Sequence, residues 1–152
     1  MQKFTEMLNE MLVVVYNKML CVEEEFLQRG IGAGLTIREM HMIEYIGKTR
    51  AEGKTLSEIA DFLGVARPSV TISVRKLEQR GLLLKNGCIQ DGRVTRVTLT
   101  REGRKIYMHH KHFHMMLVHE LEYGFSEEEK NVLVLAVQKL DRFFEKSIEA
   151  KT

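Results

Sequence analysis

The sequence predicts a mainly α-helical protein interrupted by a two-stranded β wing. Three observations carry this. Apolar residues recur at three- and four-residue steps along most of the chain. Three helix-starting signatures, each a Thr or Ser followed three residues later by Glu, precede such steps. A single stretch, 82–98, switches to β-branched alternation around an Asp-Gly pair. One Pro and 11 Gly in 152 residues also favour long helices over many turns.

The elements follow in order. From Phe4 to Leu27, the positions of Leu8, Met11, Leu12, Val15, Met19, Val22 and Phe26 mark a long amphipathic helix. Arg29-Gly30-Ile31-Gly32-Ala33-Gly34 ends it as a connector; no strand precedes these glycines, so they do not read as a phosphate cradle. Thr36 and Glu39 form a capping box, each satisfying the other's free backbone N–H, and open a helix reaching about Arg50. Ile37, Met40, His41, Ile43, Glu44 and Ile46 are spread over its faces, and Ala51–Lys54 makes a turn. Thr55 and Glu58 repeat the box before a short helix that stops at Gly64. Pro68 suits the first turn of the next helix, where a missing N–H costs nothing. That helix carries Val70, Ile72, Val74 and Leu77 and ends at Gly81. Leu82–Ile89 and Arg93–Thr98 pair around Gln90-Asp91-Gly92. Thr100-Arg101-Glu102-Gly103 leads into a long helix ending near Tyr123-Gly124. Ser126 and Glu129 cap the last helix, whose stripe is Val132, Leu135, Ala136, Leu140, Phe143 and Phe144.

Composition narrows the class. Hydrophobic residues make up 44% and charged residues 29%, which excludes a disordered chain. No apolar run approaches the roughly 18 residues of a membrane span. The N-terminus has no signal-peptide pattern, and two Cys make no disulfide framework, so a cytoplasmic, reduced protein without a membrane partner is expected. The net charge of +2 hides an asymmetry. Residues 67–105 hold ten Lys/Arg against three acids, or +7, and the remainder carries −5. A basic block in an otherwise acidic chain suggests a surface that binds a polyanion.

Helix, tight turn, helix and ribbon make a winged helix-turn-helix. Ala60 allows close helix approach, and Gly64 supplies the backbone of the turn. Val70, Val74 and Leu77 can face the core, which leaves Arg67, Ser69, Thr71, Ser73, Arg75 and Lys76 mostly on the other side. Short hydroxyls and long cations suit base edges and phosphates in a major groove of double-stranded DNA. Arg93 at the hairpin tip can enter the adjacent minor groove, with Asp91 holding it or the loop in shape.

These motifs resemble the MarR family of bacterial transcription regulators over nearly the whole chain. The resemblance rests on the long first helix, the Leu56–Gly81 reading head, the Asp91-x-Arg93 wing, the Leu99-Thr100-Arg101-Glu102-Gly103 link and two long C-terminal helices. Gly92 stands where the family wing usually has a second basic residue, so only Arg93 carries over. Residues 1–34 are then an N-terminal dimerisation helix and loop, 35–100 the winged helix-turn-helix, and 101–152 the C-terminal dimerisation helices. A homodimer is implied, and the three long apolar-striped helices independently ask for a partner.

Val22-Glu23-Glu24, Arg29-Gly30, Ile37-Arg38-Glu39-Met40-His41, Ile46-Gly47-Lys48, His110-Lys111-His112-Phe113-His114 and Ser126-Glu127-Glu128-Glu129 are similar to the FabT-like fatty-acid biosynthesis repressors within that family. That likeness implies control of lipid-synthesis genes, with an acyl chain on acyl carrier protein as effector. Met19, Met40, His41 and Phe113 are candidates for its pocket, although each Met also suits plain packing.

Other chemistry stays open. Five of six His lie in 109–119, and His110 and His114 share a helix face. With His41 and Glu23 or Glu24 they could bind a metal, and the positions resemble those of zinc-sensing family members. Packed, hydrogen-bonded histidines are the alternative. Cys21 could be a redox thiol, but Glu23, Glu24 and Glu25 beside it disfavour a thiolate. No catalytic motif proposes a nucleophile, so an enzyme is not expected.

Overall fold

The computed structural model describes residues 2–29, 32, 34–49, 52–87 and 95–149. Six helices and three short strands follow in the order α1 (Gln2–Arg29), α2 (Ile37–Gly47), β1 (Lys54–Thr55), α3 (Leu56–Leu63), α4 (Arg67–Gln79), β2 (Leu83–Gly87), β3 (Thr95–Leu99), α5 (Arg101–Glu122) and α6 (Glu127–Glu149). The chain divides into two compact units, Met1–His112 and Phe113–Thr152. No described helix is long and apolar enough to cross a membrane.

The first unit is the winged helix-turn-helix with α1 against it. Both capping boxes form as the sequence predicts. The Thr36 hydroxyl accepts from Glu39 N while Glu39 Oε2 accepts from Thr36 N, and Thr55 and Glu58 repeat the exchange. Gly64 takes the left-handed conformation at φ 61°, which turns the chain between α3 and α4 without a Cβ penalty. The core is built by Met40, Met42, Ile43 and Ile46 from α2, Ile59 from α3, Val70, Val74 and Leu77 from α4, and Leu83 and Val97 from the sheet, each at most 1% exposed.

Three features depart from the sequence reading. The wing is part of a three-stranded antiparallel sheet, ordered β1-β3-β2. Lys54 and Thr55, expected as turn and cap, pair with Val97 and Arg96 of β3; two residues are too few to show alternation. Helix α2 stops at Gly47, short of Arg50. There Arg104 of α5 donates to Gly47 O at 2.7 Å and Thr49 O at 3.3 Å, taking up helix-end carbonyls. Ile72, grouped in the sequence with the apolar residues of its helix, is 71% exposed. The Asp91-Gly92 turn and both residues of the proposed wing contact, Asp91 and Arg93, lie outside the described residues.

Thr100 makes the junction to α5. Its hydroxyl donates to Gly81 O at 2.7 Å and accepts from Gly103 N at 3.0 Å. A side chain at Gly103 would collide with the Leu82 carbonyl, so the Thr-Arg-Glu-Gly link needs its glycine. In the second unit, Ser126 and Glu129 close the third capping box at the start of α6. Its stripe is present but uncovered: Val132, Leu135, Phe143 and Phe144 are all more than half exposed. In the first unit α1 likewise leaves Met11, Leu12, Val15, Met19 and Val22 on the surface.

The second capping box gives a pH-linked prediction. Hydrogen bonds from the Thr55 backbone and hydroxyl, aided by Lys54 and opposed by burial, hold the Glu58 carboxyl below its ordinary 4.5. A depressed folded value adds stability above the unfolded pKa and loses it as pH falls through the folded one. Thr55→Ala is expected to cost about 1 kcal/mol at neutral pH. The difference from the parent should shrink on acidification below 4.5, followed by urea unfolding.

Candidate DNA-binding face and a buried carboxylate–histidine cluster

Helix α4 has one anchored side and one presented side. Val70, Val74 and Leu77 are at most 1% exposed and pin it to the core. Its N-cap, Ala66, makes no side-chain cap bond, and Pro68 sits in the first turn. Arg67, Ser69, Thr71, Arg75 and Lys76 are exposed and Ser73 is half-buried. Ile72 lies near the middle of the outward side, opposite the buried trio. Sequence reasoning missed it because an isoleucine close to Val70 and Val74 reads as core; two steps of about 100° from each put it on the opposite side, which is the signal that separates it.

The basic block is less free than its charge suggests. Lys76 Nζ lies 2.7 Å from Glu39 Oε1, and Lys85 pairs with Glu78 at 2.9 Å. Arg80 donates to Gly34 O at 2.9 Å, and Arg96 reaches the carbonyls of Glu52 and Gly53. Arg104 holds the end of α2, and Lys105 pairs with Glu102. Arg67, Arg75 and Arg101 are left without a side-chain partner among the described residues. The Thr71 hydroxyl donates back to Arg67 O at 3.1 Å, so it is satisfied locally. Burial alone raises the Glu39 carboxyl's pKa, but hydrogen bonds from Lys76 and the Thr36 N–H, with the Lys76 charge, bring it below the ordinary value.

A second cluster ties α1 to α2 and α5. Glu23 is 6% exposed, and its Oε1 lies 3.2 Å from His41 Nε2 and 3.0 Å from His110 Nε2. His110 is fully buried, and its Nδ1 is 3.7 Å from Glu44 Oε2. Phe26 sets its ring edge-on to His110 and packs on His109. Sequence does not choose between Glu23 and Glu24. The structure buries Glu23 on the same side as Leu27, whereas Glu24 lines an open cleft of about 720 Å³ with Gln28, Arg38 and Ser73. Glu44 was not singled out as a partner; its place three residues after His41, on a shared helix face, was the available signal.

His114 belongs to the second unit, half-buried, with its ring 5.3 Å from that of Phe113. Of the pocket candidates, Met40 is sealed in the core, Met19 is exposed on α1, His41 is engaged by Glu23, and Phe113 lies in the second unit. Cys21 is an exposed free thiol on α1.

Comparison with known proteins fits this architecture. The MarR family model matches residues 33–94. The crystal structure of Streptococcus pneumoniae FabT in complex with DNA is 35% identical, with a TM-score of 0.84 over 93% of this chain and 97% of that one. The S. aureus MepR–DNA complex is 21% identical, with a TM-score of 0.69 over 89% and 96%. The transcriptional regulator SlyA is 16% identical, with a TM-score of 0.72 over 96% and 99%, a likeness of fold. Fold and presented helix together define a winged-helix, DNA-binding transcription regulator. The chain belongs to the MarR family.

The cluster predicts an asymmetry between neighbours. Glu23→Ala strips a buried carboxylate from two imidazoles and is expected to cost about 1–3 kcal/mol. Glu24→Ala, on an exposed carboxylate, should stay within about 0.5 kcal/mol. Urea denaturation of the two variants makes the comparison.

Proposed function

We propose that the protein is a homodimeric repressor that reads a pseudo-palindromic operator and controls fatty-acid synthesis genes in response to an acyl-chain effector. The carrying observation is α4. Its inner side is sealed by Val70, Val74 and Leu77, and its outer side presents Arg67, Ser69, Ile72 and Arg75, with both arginines unpaired among the described residues. Guanidiniums suit guanine edges and phosphates, and an apolar Ile72 suits a thymine methyl. Ser73 and Lys76 flank this surface, and Asp91 and Arg93 complete the proposed contact from the wing. The likeness to FabT, crystallised with DNA, supports the reading.

The exposed stripes of α1 and α6 support a second copy of the chain as partner. A two-fold dimer would place its reading helices about one DNA turn, roughly 10 bp, apart. An effector would act by biasing that separation. The sequence likeness to fatty-acid repressors supports a long-chain acyl group, delivered by acyl carrier protein, as that effector. Action is proposed in the cytoplasm, and the role is regulatory rather than enzymatic.

A zinc-responsive regulator is the second reading, favoured by the convergence of Glu23 Oε1 with the His41 and His110 Nε2 atoms. One carboxylate oxygen and two imidazoles are a donor set that zinc accepts. Glu23 and His110 would hold the ion.

Arg75→Ala is expected to lower the salt slope of duplex binding by about two per dimer, as one phosphate neutralised by each of the two reading helices is lost. An unchanged slope in fluorescence anisotropy would remove Arg75 from the contact. Mobility shifts separate the effector readings. Enhancement by long-chain acyl carrier protein, with indifference to chelator, supports the lipid reading. Loss of the shift on chelation, restored by zinc, supports the metal reading. Sedimentation at two chain masses is expected in either case.

A further inference from the structure

Two cations one helical turn apart join α4 to the entrance of α2. Lys76 Nζ meets Glu39 Oε1 at 2.7 Å, and Arg80 Nη1 meets Gly34 O at 2.9 Å. Residues four apart on a helix share a side, so both ties pull on the same flank of α4. The Glu39 side chain is only 7% exposed, and its second oxygen accepts from Thr36 N at 2.9 Å. One carboxylate therefore holds the first turn of α2 and the reading helix together.

The apolar anchor of α4 cannot do this alone. Val70, Val74 and Leu77 fix which side faces inward, but apolar contact is non-directional and tolerates small rolls and slides. The N-terminal end of the helix supplies no compensating side-chain cap at Ala66. A short charge-assisted hydrogen bond to a buried carboxylate is directional. We infer that Glu39 is a positioning residue for DNA recognition, using Lys76 to set the roll of α4 so that Arg67, Ser69, Ile72 and Arg75 meet the bases in register. The inference rests on α4 being the groove-reading element. Lys76 then serves sequence discrimination rather than the count of neutralised phosphates, although it lies on the basic helix itself.

The test separates these roles. Glu39→Gln keeps the shape and a capping-box acceptor while removing the charged partner. Lys76→Met removes the other end, and because Lys76 is 51% exposed this variant does not threaten folding. Both variants, the double variant and Lys76→Arg are titrated across a salt series, with thermal unfolding followed in parallel. The probes are a duplex that the wild-type protein selects from a random-sequence pool and a scrambled duplex of equal length. Each single variant should weaken the selected duplex by about ten-fold. Affinity for the scrambled duplex and both salt slopes should stay unchanged. The double variant should be no weaker than either single one, and Lys76→Arg should bind like the parent. Lys76→Met lowering the slope by about two per dimer on both duplexes would make Lys76 a phosphate contact and overturn the inference. So would multiplicative losses in the double variant, parental binding by the single variants, or tighter binding with a steeper slope in Glu39→Gln. A wild-type protein that selects no sequence would instead overturn the groove-reading role of α4, and this inference with it.

Discussion

The burial of α2 constrains everything around it. Met40, Met42, Ile43 and Ile46 seal one side of it from water, and Glu39 is buried beside them. A buried polar group left without a partner is costly, so the polar side chains of α2 turn toward other elements. Glu39 reaches α4 through Lys76, His41 meets Glu23 of α1, Glu44 approaches His110 of α5, and the last carbonyls receive Arg104. A central apolar helix thus serves as the hub of a polar network, and its neighbours are oriented by directional bonds as well as by packing.

That network changes the meaning of the charge distribution. The +7 block by itself suggests a surface that binds a polyanion. Much of it is internal carpentry: Lys76, Arg80, Arg96 and Arg104 each bond to a carboxylate or carbonyl elsewhere in the first unit. Arginine suits such work, since its planar fork can meet two carbonyls at once, as Arg104 does at the end of α2. The cations offered outward are fewer and better defined, and Arg67 and Arg75 fall on the same helix as the exposed Ile72. A reading surface made of a few fixed groups suits discrimination between sequences better than a diffuse basic patch does.

Much of this was legible in the sequence because it depends on local chemistry. A capping box is a four-residue event, so all three were readable, and so were the helices they open. The buried side of α4 followed from helical spacing. Long-range pairing was not legible: β1 is two residues long, and its partner lies some forty positions away. The choice between Glu23 and Glu24 turns on the roll of α1 against α2 and α5, and one residue of difference carries no periodic signal. For the same reason the basic block could be counted but not divided into working and structural members.

The sequence by itself determined the fold class, the helix starts, the reading helix and the family, because periodicity, caps and turn glycines act over a few residues. Tertiary structure decided which side chains were still available once the core had formed. It drew Lys76 to Glu39, sealed Met40 away, put Ile72 outside and brought Glu23 between two histidines. The physical reason is the cost of burying polarity. Which groups must pair, and with whom, is known only when distant segments have been packed against one another.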